Sequence, residues 1–326
     1  MALSKIPPAG HAQYVGARNL IINGAMAVSQ RGTTFADLAN GAYGIDRYVI
    51  YHSDDGAVTV SQDTTVPAGE GFKNSMKFAV TTADTSLGSS QYYQFAQKIE
   101  GQNMAHLEWG TSNAKSVTLS FWIRSNLTGT YNIYLLNSAA NRYHPVNFTI
   151  DSANTWEKKT ITAAGDTTGT WLTTNGVGMF VVWNLALSSN YLTGTNATWS
   201  TNDAGVSGTT QANFLSSTSN ELYITGVQLE VGEATDFEHR LYADELDRCK
   251  RYYQQSQYDI YSSYGATYNY IQWFFVPEMR TTPTLSGNLA GTSDGINKQF
   301  AQRYNSGSNY AYFYGGANPS KADAEL

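Results

Sequence analysis

The chain has few cysteines, few charged residues and no long apolar run. One of its 326 residues is Cys, and Asp, Glu, Lys and Arg together make up 14%. A single thiol excludes an intrachain disulfide framework and cannot build a zinc site by itself, so we expect Cys249 to be a small buried residue. No apolar stretch reaches the roughly 18 residues of a membrane-spanning helix. The first residues lack the apolar segment of a signal peptide, and we expect synthesis in a cytoplasm without membrane insertion.

Clustered basic residues are missing as well, and the one catalytic letter pattern, GTSDG at 291–295, lies in a Gly, Asn and Ser loop without the flanking strand and helix that a nucleophile elbow needs. A formal net charge of -6 does not indicate a binding surface for nucleic acid or an anionic membrane, since such a surface requires grouped Lys and Arg. The sequence has no phosphate-binding glycine loop and no HExxH motif. Asp54, Asp55 and Glu100 fall in predicted turns, where solvated or turn-forming roles are expected. We therefore predict no catalytic residue, no metal site and no cofactor.

Short strands dominate what is present. With 29 Gly and 23 Tyr among long Ser, Thr and Asn runs, the composition is typical of many strands joined by turns. In Val117–Arg124 alternate residues are apolar, which predicts a strand with one buried face. Val177–Leu187 is apolar on both faces, which indicates either a central strand covered on both sides or a contact between subunits. The predicted strands of this part are Asn19–Gly24, Arg47–Tyr51, Ala57–Ser61, Ser75–Val80, Tyr92–Ile99, Val117–Arg124, Tyr131–Leu136, Val146–Ile150, Trp156–Thr162 and Val177–Leu187.

The stretch Glu221–Gln255 joins two parts of the chain. Its first half predicts a strand whose inward alternation slips at Thr225–Gly226, which is the pattern of a β-bulge. Its second half predicts a short helix with one apolar stripe. The residues of that stripe are Tyr242, Leu246, Cys249 and Tyr253. The strands predicted beyond it are Tyr258–Tyr261, Tyr268–Val276, Thr284–Leu289, Gln299–Tyr304 and Tyr310–Tyr314.

These patterns predict an all-β protein, because strands that recur without helical patterns between them favour an antiparallel sandwich. A short helix and a smaller C-terminal β domain follow the sandwich. That last domain is rich in Tyr and poor in aliphatic residues, so we expect it to lean on the first domain or on identical neighbours. The predicted parts are an extended N-terminal docking peptide (1–18), the sandwich (19–235), a helical joint (236–255) and the C-terminal β domain (256–326).

Three segments resemble the matching strands of jelly-roll carbohydrate-binding modules. They are Asn19–Gly24, Ala114–Arg124 and Leu222–Glu230. The resemblance implies that the antiparallel sandwich is a jelly roll.

A second resemblance, to bacteriophage tail-fibre and virion appendage proteins, is sharper. Its motifs follow one another in order along the chain. They are NLIINGAMAVSQRG (Asn19–Gly32), DRY (Asp46–Tyr48), NTWEKKTIT (Asn154–Thr162), GDTTGTW (Gly165–Trp171), VQLEVG (Val227–Gly232), DFEHRLYADELDRCKRYY (Asp236–Tyr253) and FFVPEMRTTPT (Phe274–Thr284). The resemblance implies a structural protein of the virion, a homotrimer whose jelly-roll body contacts host-surface glycans. Long tail fibres carry a shaft before such a body, whereas only residues 1–18 precede it here, which favours a short fibre, a tailspike-like knob, or a head fibre or decoration.

A glycan site requires exposed aromatic rings beside Asn, Asp or Arg, because sugars present apolar C–H faces and many hydroxyl groups. The outer face of Val117–Arg124, the loop after Leu136 and the long polar stretch Ser188–Ser219, which we predict to be a surface loop, meet this description. The candidate glycan-binding residues are Trp122, Arg124, Asn141, Arg142, Tyr143, Tyr191 and Trp199. Each of them would equally suit packing under a loop or in a trimer interface, and the sequence leaves that alternative open.

Three functions from different classes follow. The first is a short fibre or appendage of a virion, assembled in the host cytoplasm, attached to capsid or tail proteins through residues 1–18 and binding host-surface polysaccharide. The second is a head decoration or cement protein without a ligand. The third is a glycosidase that degrades capsule polysaccharide, because the carboxyl pair of such an enzyme leaves no sequence motif.

Overall fold

The fold is described from a computed structural model. The described residues are 18–201, 206–207, 209–256, 261–262, 269–286, 293–305 and 320–326. The leader 1–17, the predicted strand Tyr310–Tyr314 and most of the predicted strand Tyr258–Tyr261 lie outside them.

Strands make up most of the regular structure in the described part of the chain. Before the helix these are β1 (Thr34–Ala36), β2 (Tyr48–His52), β3 (Ala57–Asp63), β4 (Ser75–Thr82), β5 (Tyr92–Glu100), β6 (Val117–Ser125), β7 (Gly129–Asn137), β8 (Tyr143–Ile150), β9 (Glu157–Ala163), β10 (Val177–Leu187) and β11 (Glu221–Val231). Helix α1 (Tyr242–Lys250) comes next, followed by β12 (Tyr253–Ser256), β13 (Tyr261–Ser262), β14 (Asn269–Phe274), β15 (Thr284–Ser286), β16 (Ser293–Ile296), β17 (Phe300–Asn305) and β18 (Ser320–Asp323). Short 3₁₀ helices span Gly101–Asn103, Ala105–Leu107, Ser189–Tyr191 and Phe214–Ser216.

Two antiparallel sheets form the sandwich. The six-stranded sheet has the order β1-β3-β4-β11-β6-β9, and the five-stranded sheet has the order β2-β5-β10-β7-β8. Neighbouring strands are often far apart in sequence because the chain crosses repeatedly between the sheets, as in a jelly roll. Along β6, Val117, Leu119 and Phe121 point into the core and are at most 2% exposed. The predicted all-β antiparallel jelly-roll sandwich, with a short helix and smaller C-terminal sheets after it, is confirmed.

Strand β10 lies at the centre of the five-stranded sheet. On its inner face Trp183 belongs to the main core. On its outer face Val182 belongs to a second apolar cluster that also contains Val206 and packs against Tyr191. Both faces are therefore covered by this chain itself. The first predicted alternative for Val177–Leu187 is right, and the apolar pattern of this strand no longer calls for a subunit contact.

The loop between β10 and β11 is more deeply packed than predicted. Phe214 and Leu215 are fully buried and join the main core of the sandwich. The side chain of Asn213 fixes this turn, since its Oδ1 accepts a hydrogen bond from the backbone N–H of Leu215 at 3.0 Å. The prediction of a surface loop over Ser188–Ser219 is thus wrong for its C-terminal part.

Strand β11 carries the predicted bulge. Its register with β6 shifts between Thr225 and Gln228, and Gly226 has a φ of +63°. Such a φ costs glycine little and other residues more, so the glycine permits the bulge at this point.

The segment Asn19–Gly24 lies along this bulge but is not a regular strand, contrary to the prediction. The side-chain amide of Asn19 makes hydrogen bonds to the backbone of β11 in the place of a neighbouring strand. Its Nδ2 donates to the carbonyl of Val227 at 3.1 Å, and its Oδ1 accepts from the N–H of Leu229 at 3.0 Å. A side-chain amide offers both a donor and an acceptor, so it satisfies backbone groups of β11 that lie beyond the last residue paired with β4, Ile224.

Helix α1 is shorter than the predicted joint 236–255, because Tyr253 already belongs to β12. Cys249 is fully buried, as predicted, whereas Tyr242 is 60% exposed. The predicted apolar stripe is therefore wrong at the start of the helix. The inward position there is taken by the buried carboxylate of Glu245, which accepts a hydrogen bond from the N–H of Asn23.

The C-terminal part contains two small antiparallel sheets. Their orders are β12-β18-β15 and β13-β14-β17-β16. Strands β12, β16 and β18 were not predicted, because such short strands show no clear alternation. A small apolar cluster consists of Trp273, Phe275, Met279, Ala301, Ala322 and Ala324. This part contacts the sandwich through polar groups. For example, Arg280 donates a hydrogen bond to the backbone carbonyl of Asn175 at 2.7 Å.

Glu100 is buried, contrary to the prediction of a solvated turn. It is 1% exposed at the end of β5. Its carboxylate accepts hydrogen bonds from Arg251 at 2.7 Å and from the hydroxyl of Tyr252 at 2.8 Å. Asp54 does form a turn, as predicted, because its Oδ1 accepts from the N–H of Gly56 at 2.8 Å.

Gly24 provides a test of the packing against β11. A Cβ at this position would lie 2.1 Å from the carbonyl oxygen of Val227. We expect Gly24→Ala to lower the free energy of unfolding by about 1–3 kcal/mol, because overpacking forces the backbone to shift. Urea unfolding followed by tryptophan fluorescence measures the change.

Gly176→Ala is the matched control. A Cβ there would meet Leu172 at 3.4 Å, which is an ordinary contact. We expect its effect on the free energy of unfolding to stay within about 0.5 kcal/mol. Equal losses for the two substitutions would contradict the role given to Gly24.

Candidate functional site

The predicted glycan-binding residues lie in three separate places. Asn141, Arg142 and Trp199 lie at the edge of the sandwich near the start of β8. Tyr143 and Tyr191 lie on the outer face of the five-stranded sheet. Trp122 and Arg124 lie on the outer face of the six-stranded sheet, alternating with buried residues of β6.

Trp199 belongs to a packed cluster of three tryptophans. Its ring meets those of Trp109 and Trp171 edge to face, with centroids 5.3 and 5.5 Å apart. Its Nε1 donates to the carbonyl of Ala164 at 2.8 Å. Edge-to-face rings gain energy beyond simple burial. The position of Trp199 is therefore explained by packing within the chain.

Arg142 is held in place by Asp166. Its Nε and Nη2 donate to the two carboxylate oxygens, each at 2.7 Å. Burial raises the pKa of Asp166, but the hydrogen bonds from Arg142 and Thr168 outweigh burial and leave this pKa below its usual value. The neighbouring Asn141 accepts a hydrogen bond from Asn137 at 2.8 Å. The Nε and Nη2 of Arg142 are thus engaged within the chain, and so is the side-chain oxygen of Asn141, although Asn141 itself is exposed to solvent.

The outer face of the five-stranded sheet is covered by its own loop. Tyr143 is 6% exposed, and half-buried Tyr191 packs edge-on against Tyr92, with centroids 5.7 Å apart. The hydroxyl of Tyr191 donates to the carbonyl of Ser90 at 3.2 Å. A row of amides crosses this face as cross-strand neighbours, and it consists of Gln94, Asn184, Asn132 and Asn147. The hydroxyl of Ser207, a residue of the loop, donates to the Oδ1 of Asn147 at 3.3 Å, so the loop contacts this row of amides.

Arg124 and its neighbours on the six-stranded sheet are also occupied. Its Nε donates to the carbonyl of Asn154 at 2.9 Å, and its guanidinium carbon lies 5.0 Å from the ring centroid of Tyr223. Lys77 approaches the same ring and forms an ion pair with Glu221 at 2.8 Å. The hydrogen bond from this lysine lowers the pKa of the Glu221 carboxyl.

Trp122 differs from the other candidates because it lines a cavity. This cavity has a volume of about 160 Å³ and also involves Phe237 and His239. The same two residues line an adjoining cavity of about 320 Å³ together with Phe72 and Tyr242. We call the two cavities together the aromatic groove. Only Trp122 among the residues of this groove was predicted as a site residue.

The rings of the aromatic groove hold one another in position. The centroids of Phe72 and Phe237 are 4.9 Å apart, and that of His239 is 5.1 Å from the first and 4.9 Å from the second. The Nε2 of His239 makes a 3.0 Å hydrogen bond with the backbone carbonyl of Glu70. Tyr242 stands at the rim, largely exposed. A preformed group of rings of this kind loses little freedom when a ligand stacks on it.

The bulge of β11 brings these rings together. A Cβ at Gly226 would lie 2.6 Å from Cζ of Phe72 and 3.1 Å from Cδ1 of Trp122. A glycine is thus required where the loop that carries Phe72 meets the sheet. The sequence does contain a signal for the missed residues, since Phe237 and His239 alternate just beyond the strand in the motif DFEHR.

Polar groups surround the aromatic groove. Glu70 and Asp236 are exposed carboxylates at the smaller cavity, and Lys158 is an exposed amine there. Lys73 and Asn74 line the larger cavity. The groove therefore presents ring faces together with hydrogen-bond donors and acceptors.

Two further findings concern metals and membranes. Among the described residues, no group of three or more His, Cys, Asp or Glu is arranged to hold a metal ion. No helix in that part of the chain is long and apolar enough to cross a membrane.

No protein-family profile matches the chain, and no curated protein matches it in sequence. The enzymatically active domain of tailspike protein 4 of bacteriophage CBA120 is 13% identical, with a TM-score of 0.35, and the match covers 66% of this chain but 22% of the tailspike chain. A family 11 carbohydrate-binding module from Clostridium thermocellum, in complex with a mixed-linked tetrasaccharide, is 12% identical, with a TM-score of 0.31, over 64% of this chain and 99% of the module. The module TmCBM61, in complex with β-1,4-galactotriose, is 9% identical, with a TM-score of 0.32, over 66% of this chain and all of the module. Similarities this low carry no functional argument, and the site has to be judged from its own residues.

The ion pair of Arg142 and Asp166 makes a prediction about pH. The pKa of Asp166 is lower in the folded chain than in the unfolded chain. The ionised carboxylate of Asp166 therefore stabilises the fold above its pKa in the unfolded chain, about 4, and this stabilisation is lost as the pH falls through its pKa in the folded chain. We expect Asp166→Asn to lower the free energy of unfolding by about 1.5–3 kcal/mol at neutral pH, through loss of the charged hydrogen bonds. The difference from the wild type should shrink as denaturant unfolding is repeated at increasingly acid pH.

Asp151→Asn is the control for this prediction. Its carboxylate pairs with Lys159 at 3.2 Å but is 70% exposed, so the change in stability should be below about 1 kcal/mol. The role given to the ion pair of Arg142 and Asp166 would be refuted if the difference in free energy of unfolding between Asp166→Asn and the wild type stayed constant as the pH is lowered.

Proposed function

We propose that this protein binds glycans of a host-cell surface at the aromatic groove, without cleaving them. The observation that carries the proposal is the partly exposed ring of Trp122, which shares a cavity with Phe237 and His239 beside the carboxylates of Glu70 and Asp236. Such a surface suits a sugar, because ring faces pack against C–H groups while carboxylates and amines bind hydroxyl groups.

The dimensions of the groove support a saccharide rather than a large apolar ligand. The larger cavity, about 320 Å³, falls at the lower end of the range of about 300–1,000 Å³ for ligand pockets. The smaller one adjoins it across Phe237 and His239. We therefore place neighbouring sugar units of one chain in the two cavities, with these two rings between them.

The other predicted residues suit this role less well. The chain itself engages the Oδ1 of Asn141, the Nε of Arg142 and the Nε1 of Trp199, and Tyr143 is buried. A sugar would have to displace an existing hydrogen bond or ion pair to reach them, at a cost of about 1–3 kcal/mol for each group left unpaired. The aromatic groove requires no such displacement at the face of Trp122.

We further propose that glycan binding serves the attachment of a bacteriophage particle. The support is the ordered set of motifs that resemble virion appendage proteins, such as DRY at Asp46–Tyr48 and DFEHR at Asp236–Arg240. In this proposal the protein is a short fibre or head fibre of the virion, and residues 1–18 attach it to capsid or tail proteins.

A decoration or cement protein without a ligand is the second candidate. The observation that favours it is the packing of Arg142, Tyr143 and Trp199, which leaves most of the predicted glycan residues with structural roles. The two candidates differ in whether the purified protein binds any sugar.

Trp122→Ala tests the proposed glycan site. We expect binding to a glycan found on a broad array to weaken about tenfold or more, because the stacking surface is removed, whereas Trp122→Phe should retain most of it. Calorimetry on that glycan gives the affinity. Release of reducing ends from the bound glycan would contradict binding without cleavage.

Tyr191→Ala is the matched control, since it removes an aromatic ring from the loop that packs on the other sheet. Its affinity should equal that of the wild type. The aromatic groove would be rejected as the site if the Tyr191 variant lost binding as strongly as Trp122→Ala, or if Trp122→Ala bound normally. A wild-type protein that bound nothing on the array and stabilised capsids would favour the second candidate.

The proposed homotrimer has its own test. Since the apolar faces of β10 are covered within the chain, the remaining support is the resemblance to trimeric appendage proteins. We expect light scattering at micromolar concentration to give three times the chain mass of 35.7 kDa. A monomeric mass over the whole concentration range would refute the trimer.

A further inference from the structure

A cleft lined almost wholly by charged and amide side chains lies where the sandwich, helix α1 and the C-terminal sheets meet. Its volume is about 800 Å³, which is larger than either cavity of the aromatic groove. Arg248 and Arg251 line it from the helix, Arg280 lines it from the C-terminal part, and the amides of Gln102 and Asn175 line it from the sandwich. We call this space the arginine cleft.

Several charges of the arginine cleft are neutralised by partners within the chain. Arg240 pairs with Glu238 at 2.9 Å, and Lys298 pairs with Glu278. Arg251 donates from Nε and Nη2 to the buried carboxylate of Glu100, at 3.1 and 2.7 Å. These groups contribute little free charge to the space between them.

Two guanidinium groups of the cleft lack a carboxylate partner. The three nitrogens of Arg280 donate to the backbone carbonyls of Ala324, Asn175 and Glu325, at 2.9, 2.7 and 3.1 Å. Half-buried Arg248 makes neither a side-chain hydrogen bond nor an ion pair with the residues that the structure describes. Against these two cations stand two lining carboxylates, those of Asp244 and Asp247, both exposed to solvent. Asp247 forms an ion pair with Lys250 at 3.4 Å, whereas Asp244 has no ion pair in the described part of the chain.

We infer that the arginine cleft is a second binding site, separate from the aromatic groove. In this proposal it binds an acidic polysaccharide through the carboxylate groups of the sugar units. Arg248 supplies an unused planar fork of donors, which matches a carboxylate, and Arg280 lines the same cleft without a carboxylate partner. Gln102 and Asn175 supply amide groups for sugar hydroxyls. The described lining contains no aromatic ring, so stacking is not the basis of recognition here.

This inference does not depend on the aromatic groove. The groove offers ring faces to the apolar side of a sugar, whereas the cleft offers the unpartnered guanidinium of Arg248 to an acidic group. Arg248 lines only the cleft and Trp122 lines only the groove, so variants at these two residues test each proposal alone.

Calorimetry with a short oligogalacturonate tests the site, with a neutral oligogalactan of the same length as comparison ligand. We expect the wild-type protein to bind the acidic chain more tightly than the neutral one, and raised salt to weaken binding of the acidic chain because the attraction is electrostatic. Arg248→Gln should weaken binding about tenfold, since a charged hydrogen bond is lost. The affinity of Arg248→Lys for the acidic chain should lie between those of the wild type and Arg248→Gln, because lysine keeps the charge but lacks the planar pair of donors.

Lys158→Gln is the matched control, because it removes the same charge from the aromatic groove. Its affinity for the oligogalacturonate should equal that of the wild type, and unfolding curves should show that all variants are folded. The proposal is overturned if the wild type does not bind oligogalacturonate, if the neutral chain binds equally well, or if Lys158→Gln weakens binding as much as Arg248→Gln.

Discussion

The arrangement of the sandwich depends on a close approach at the bulge of β11. On one side the backbone of Gly24 lies against the carbonyl of Val227, at a distance that admits no Cβ. On the other side Gly226 leaves room for the rings of Phe72 and Trp122. The bulge thus has two consequences. It fixes the first described segment of the chain against the six-stranded sheet, and it opens the outer face of the same sheet as an aromatic groove.

A buried network of charges holds the C-terminal part against this sandwich. Arg47 is 1% exposed, forms an ion pair with Glu325 and lies with its guanidinium carbon 3.4 Å from the ring centroid of Tyr252. Arg31 pairs with the same carboxylate at 3.3 Å. Burial raises the pKa of Glu325, and the two arginines oppose this effect. Because a buried charge left alone costs about 3–5 kcal/mol, these groups can be accommodated only together, and this favours one position of the C-terminal strands over others.

The strands could be predicted from the sequence wherever burial imposed a regular alternation. Val177–Leu187 has the same bounds as β10, and Val117–Arg124 ends one residue before β6. Prediction failed where a side chain, instead of the backbone, made the hydrogen bonds to a strand, and where the interacting residue was far away in the sequence. Asn19 pairs through its amide, which alternation does not reveal. Glu100 is buried because Arg251 reaches it from 151 positions away, and no local pattern contains that information.

The candidate site shows the same limit more clearly. Trp122 and Trp199 were predicted by the same rule, an aromatic ring beside polar residues, and that rule describes both correctly. The difference lies in their neighbours. Two tryptophans close the space around Trp199, whereas a glycine keeps space open around Trp122. Composition can therefore nominate an aromatic site, but only packing determines whether a ring face remains available.

Arg240 connects the two proposed sites, because it lines both the aromatic groove and the arginine cleft. Its guanidinium donates to the carbonyls of Asn19 and Ile21 and to the carboxylates of Glu238 and Glu245. With its side chain 8% exposed, it joins the first segment of the sandwich to the start of helix α1. Its charge is used by these partners and adds little to either cavity. Arg240 is therefore a positioning residue, and the geometry of both sites depends on the joint that it holds rather than on any contact that it offers to a ligand.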